Sequence, residues 1–182
     1  MVKRNTCVFI SGKGSNLRNL IKKSREYVFP IKISLVVSNK SNAPGIIYAK
    51  RNSIPIVIIN SKNRYFEKKI FYNLKKYNIK LICLAGYMKI ISKNFIQDFK
   101  RPILNIHPSL LPKYKGLNTF SKVLKYKEKK TGCTVHQVNE KLDSGKIIIK
   151  KTFFISKNDE LEILQRKTQI MEHKAFPEAI VK

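Results

Sequence analysis

Short runs of β-type residues alternate with amphipathic helical segments through the first hundred or so residues, and that alternation restricts the possible folds more than any other feature. Thr6-Cys7-Val8-Phe9-Ile10 reads as a buried strand. A helix over Leu17–Tyr27 follows, with Leu17, Leu20 and Ile21 at helical spacing. The pattern then predicts a strand at Ile31–Val37, a helix through Ile46–Arg51 and a strand at Ile56–Ile59. Phe66, Ile70 and Leu74 place a helix within Asn63–Tyr77, and Ile79–Ala85 is a further strand. A short helix at Ser92–Phe99 leads to a strand at Pro102–Ile106. Strands that alternate with helices predict an α/β fold with a mostly parallel sheet and helices on both faces.

Beyond a proline-bearing loop the pattern changes. A helix near Phe120–Tyr126 precedes Gly132–Val138 and Lys146–Ile155, which read as paired strands and predict an antiparallel C-terminal part. Leu161–Val181 reads as a closing helix that Pro177 should end or kink. There is no internal repeat and no low-complexity linker, and 182 residues suit one domain, 1–182, with a real core. No apolar stretch approaches the ~18–20 residues that span a bilayer. The expectation is a cytoplasmic protein with no membrane partner.

The formal net charge is +27. Such a value raises the question of a nucleic-acid binder. Lysine greatly outnumbers arginine, however, and the lysines are scattered rather than interleaved with exposed aromatics. Lys, Ile and Asn all have A/T-rich codons, so compositional drift explains the bias, and no specific nucleic-acid partner is expected. Even so, a positive field attracts anionic substrates. Cys7, Cys83 and Cys133 fit no zinc spacing and read as buried thiols. His107, His136 and His173 are too dispersed to suggest a metal site, and none is expected.

Four segments carry the chemistry. Gly12, Gly14, Ser15 and Asn16 lie between a strand and a helix, where backbone N–H groups and the helix start favour a phosphate. The same residues would also serve as an ordinary capped turn. In Asn105-Ile106-His107-Pro108, the carboxamide and imidazole are two residues apart, so a strand would aim both the same way. An amide donor and a titratable ring together can polarise a carbonyl. Asp143, in Leu142-Asp143-Ser144-Gly145, reads locally as an Asx turn, which can still hold a carboxylate over a site. Leu84-Ala85-Gly86-Tyr87-Met88-Lys89-Ile90-Ile91 leaves a strand into an apolar loop suited either to core packing or to a flat organic ligand. Glu172-His173 reads by itself as a solvated helix face.

Taken together these segments resemble the phosphoribosylglycinamide formyltransferase family. The matches include Ser11 through Asn16, Leu84 through Met88, and Asn105 through Pro112 with Lys113-Tyr114-Lys115-Gly116-Leu117. They continue through Gly132-Cys133-Thr134-Val135-His136, Leu142 through Gly145 and Glu172-His173, in family order over nearly the whole chain. The resemblance implies a Rossmann-like formyltransferase fold and formyl transfer from 10-formyltetrahydrofolate to the amine of glycinamide ribonucleotide. It implies catalytic roles for Asn105, His107 and Asp143. Gly14, Ser15, Asn16 and Glu172 match substrate-binding positions. Arg64, Met88, Lys89, Ile90, Ile91 and Asn105 match the folate side. It further implies small-molecule substrates, no metal, and a monomer or weak homodimer.

The chain departs from the family pattern at Lys13, Lys115, Asn118 through Phe120, and Lys150. Methionyl-tRNA formyltransferase and formyltetrahydrofolate hydrolase share the central segment, but an additional domain is expected in each. A non-catalytic basic nucleic-acid-binding protein is the reading from another class.

Overall fold

The computed structural model describes residues 2–59 and 65–182. They divide into two compact units, 1–104 and 105–182. Arg64, expected on the folate side, lies outside the described residues.

The first unit holds β1 (Arg4–Ile10), α1 (Ser15–Ser24), β2 (Ile31–Ser38), α2 (Ile46–Lys50), β3 (Ile56–Ile58), α3 (Phe66–Lys76), β4 (Leu81–Leu84) and α4 (Lys93–Phe99). The four strands run parallel in the order β3-β2-β1-β4. β1 is central, and Cys7 through Ile10 are fully buried, which explains an unbroken apolar run rather than an alternating one. Strand order reverses at β1, since β2 lies on one side and β4 on the other. In open parallel sheets such a reversal opens a crevice at the carboxyl ends of the strands. α1 turns Leu17, Leu20 and Ile21 inward, as their spacing predicts.

β5 (Ile103–His107) crosses into the second unit, which continues with α5 (Thr119–Lys125), β6 (Lys130–Gln137), β7 (Ile147–Phe154) and α6 (Leu161–Val181). β6 and β7 pair antiparallel, as expected, with a register shift between Val135 and His136. The Cβ that alanine would add at Gly132 meets the Lys151 carbonyl oxygen at 1.9 Å, so only glycine permits this pairing. α6 runs through Pro177 to Val181, so the proline does not end the helix. Phe176, Pro177, Ala179 and Ile180 are all buried, and that packing offsets one missing backbone hydrogen bond. All three cysteines are free and buried. Among the described residues no helix is long and apolar enough to cross a membrane.

Candidate functional site

In the first unit the chain leaves β1 at Ser11 and turns through Gly12, Lys13 and Gly14 into α1. Gly14 caps the helix in the left-handed region, with φ 70°, and no side chain caps the N-terminal N–H groups from that position. A Cβ on Gly14 would come within 2.6 Å of the Gly45 Cα. Gly45 N–H donates to the Gly12 carbonyl at 2.9 Å, so two backbones pack directly against each other. Nothing lies within 4 Å of where a Gly12 Cβ would be, so one face of the loop is open. No acidic residue occupies the first turn of α1, and the helix end retains its positive character for an anion. Gly45 escaped the sequence reading because its partner Gly14 is 31 residues away; its only local signal is the Pro44-Gly45 pair before α2.

Ser11 joins this turn to the segment after β4. Its hydroxyl donates to Asn39 Oδ1 at 2.6 Å and accepts from the Met88 backbone N–H at 2.8 Å. The segment is also held at its far end. Glu67 accepts from the Ser92 N–H (3.0 Å) and hydroxyl (2.6 Å), and Ser92 caps α4 by accepting from Phe95 N–H. Between these anchors Met88 is 63% and Ile90 77% exposed, which rules out core packing for both. Lys89 is exposed too, and Ile91 half-buried. A fixed backbone that presents apolar side chains outward suits a flat organic ligand.

In the second unit Asn105 and His107 lie on β5 and do reach the same group. Asn105 Nδ2 donates to Asp143 Oδ1 at 3.3 Å, and His107 Nδ1 lies 3.3 Å from Asp143 Oδ2. The other His107 nitrogen, Nε2, lies 2.8 Å from the Tyr114 carbonyl oxygen. A carbonyl only accepts, so Nε2 carries a proton. Asp143 holds a left-handed backbone, φ 46°, which its short polar side chain tolerates. It also accepts from Gly116 N–H at 2.8 Å. Burial works against ionising this carboxyl. The His136 hydrogen bond, the Gly116 N–H and the His107 and His136 charges outweigh burial, and its pKa is lowered.

His136 is a member the sequence reading missed. Its Nε2 is 3.2 Å from Asn105 Nδ2 and 3.5 Å from Asp143 Oδ1. Its place on β6, one strand over from β5, was not readable from spacing. Tyr114 and Gly116 were missed for a different reason: they act through backbone atoms, which carry no residue-type signal. Glu172 lies on α6 half-buried rather than on a solvated face, and it raises the Cys133 pKa together with the larger effect of burial.

No group of three or more His, Cys, Asp or Glu side chains arranged to hold a metal occurs among the described residues.

The family model described as formyl transferase matches residues 4–180. The chain is 39% identical over 178 residues to a Haemophilus influenzae protein named phosphoribosylglycinamide formyltransferase, covering 96% of this chain and 84% of that one. It is 41% identical over 182 residues to the human trifunctional purine biosynthetic protein adenosine-3. That match covers 98% of this chain but only 18% of the human protein. A solved phosphoribosylglycinamide formyltransferase from Anaplasma phagocytophilum superposes with a TM-score of 0.92 at 36% identity, covering 97% of this chain and 84% of that one.

Proposed function

This chain belongs to the formyl transferase family, and from that premise we propose that it transfers a formyl group from 10-formyltetrahydrofolate to the amine of 5-phosphoribosylglycinamide in purine synthesis. One observation carries the catalytic reading: Asn105 Nδ2 and His107 Nδ1 each reach a different oxygen of one carboxylate. Donors that converge on one anionic group are placed to converge on another. Attack of the amine on the formyl carbon develops negative charge on the formyl oxygen. Asn105 and His107 donate to that oxygen and lower the barrier.

The Tyr114 carbonyl holds the His107 ring through Nε2, which leaves Nδ1, beside Asp143, as the nitrogen that faces the reacting group. With its own pKa lowered, Asp143 is a weak base. It therefore orients a water that carries the amine proton toward the leaving folate nitrogen, rather than keeping that proton itself. Gly14, Ser15 and Asn16 bind the nucleotide's phosphate side, and Glu172 its sugar. Met88, Lys89, Ile90 and Ile91, with Asn105 and Arg64, hold the folate. No metal takes part. Residues 1–182 act as one formyltransferase domain, cytoplasmic, monomeric or weakly dimeric, on small molecules and on no specific nucleic acid.

The test is formyl transfer by the purified protein with both substrates, following tetrahydrofolate release. Turnover that requires the nucleotide supports the reading. Release of folate product without the nucleotide would make it a hydrolase instead. No reaction from folded protein would overturn the assignment.

A further inference from the structure

Of the 38 basic residues in this chain only seven are arginine, and three of those seven line one groove. Arg18, Lys22 and Arg25 come from α1, and Tyr48, Arg51 and Asn52 from α2 and its end. The groove encloses about 350 Å³. Its lining holds four cations and no carboxylate, and none of the four has an acidic partner among the described residues. Like charges gathered in one concavity repel each other, and the wall focuses their field.

The side chains are also braced. Asn52 Nδ2 donates to the Tyr48 carbonyl at 2.6 Å, which turns its Oδ1 toward Arg25, and Arg25 Nη2 donates to that oxygen. The Arg18 guanidinium lies over the Tyr48 ring, 5.8 Å from its centre. Two of the three arginines are therefore positioned before any ligand arrives. Arginine suits this task because its planar fork matches phosphate oxygens, whereas lysine acts as a point charge. The cations at the two helix ends also favour the nearby carbonyl groups. That effect asks only for positive charge at each carboxyl terminus, and it accounts neither for arginine in place of this chain's usual lysine nor for Arg18, which lies in the first turn of α1.

We propose that this groove binds a compact polyphosphate group, two or more linked phosphates such as those of a nucleoside di- or triphosphate. A single phosphate would engage about half of the four cations, and linked phosphates would engage them all. One aromatic ring, already covered by Arg18, is no platform for successive bases, so the site favours a free polyphosphate over a nucleic-acid strand. The groove shares no residue with the glycine turn.

The experiment titrates the full chain with inorganic tripolyphosphate at about 150 mM salt, where diffuse surface attraction is screened beyond ~8 Å, and follows binding by calorimetry. Saturable one-to-one binding is expected. Arg18→Gln with Arg51→Gln should weaken it at least tenfold. Lys125→Gln with Lys157→Gln removes the same charge elsewhere and should change it less than twofold. Asn16→Ala, in the glycine turn, should leave it intact. Arg51→Lys keeps the charge and should still weaken binding. Equal weakening by both charge-matched pairs, or no saturation, would overturn the proposal by assigning the effect to the overall field. Loss of binding in Asn16→Ala alone would place the polyphosphate in the glycine turn. An oligonucleotide that binds more tightly than tripolyphosphate, and loses that affinity in the arginine pair, would overturn the choice of ligand.

Discussion

The Nε2 of His107 donates to the backbone carbonyl of Tyr114 across 2.8 Å, so the orientation of the central imidazole depends on the conformation of a loop residue. Tyr114 has a left-handed backbone, φ 56°, unusual for a side chain of its size. Its hydroxyl donates to Glu128 Oε1 at 2.6 Å, and Lys113 Nζ donates to the same oxygen at 2.7 Å. The hydrogen bond to Glu128 pushes the Tyr114 phenol up to about 12. The ring also stacks on Tyr126 with centroids 6.0 Å apart.

Tyr114→Phe keeps the stack and removes the bond to Glu128. One charge-assisted hydrogen bond contributes about 1.5–3 kcal/mol, and only part of that loss reaches the His107 ring through the loop, so kcat should fall about 3–10-fold with KM little changed. Steady-state kinetics on the variant decides it. A kcat equal to that of the parent protein would show that the phenol has no part in holding the ring.

Removing a donor from the centre should be far more costly. His107→Ala and Asn105→Ala are each expected to reduce kcat by about 10²–10³ while circular dichroism shows a folded protein. If the two act on one oxygen as proposed, the double variant should lose less than the product of the two single losses.

The pH dependence of stability follows from Asp143. Its folded pKa is lower than its unfolded value of about 3.9. The stabilisation it contributes is therefore fully present above the unfolded value and is lost as pH falls through the folded one. Asp143→Asn should melt below the parent protein by a constant margin between pH 5 and 7, and the margin should shrink below about pH 4. Thermal melts across pH 3–7 measure it. A margin that instead grows on acidification would contradict the assigned sign.

The glycine turn separates stability from binding. Gly45→Ala places a Cβ 2.8 Å from Gly14 Cα and 2.9 Å from the Gly12 carbonyl oxygen. Neither backbone can yield cheaply, so a loss of about 1–3 kcal/mol is expected on denaturant titration. Gly12→Ala meets nothing within 4 Å and should cost little stability. Its methyl group would occupy the open face of the turn, so the nucleotide KM should rise. An unchanged KM would remove that face from the binding site.

Much of this structure was readable from local pattern. The strands of the first unit appear as apolar runs, and β6 and β7 appear with them, each within about two residues of its observed bounds. The two-residue spacing of Asn105 and His107 correctly implied side chains that reach a common group. Pro177 does not end its helix, because the rule for proline concerns one lost hydrogen bond and takes no account of the buried face around it.

What local pattern could not contain is everything that depends on residues far apart in the chain. Periodicity reports which side of its own element a side chain takes, since that is set by 3.6- and 2-residue repeats along a single backbone. It carries no record of which element comes alongside. His136 meets Asn105 only because β6 lies beside β5, and Gly45 meets Gly14 only because α2 returns its first turn to the start of α1. The Tyr114 carbonyl belongs to a chemical group that every residue possesses. The chain's own order of residues settled the elements, and with them the facing of Asn105 and His107. Tertiary packing alone chose their partners, since hydrogen bonds and close contacts depend on distance in space rather than on separation along the chain.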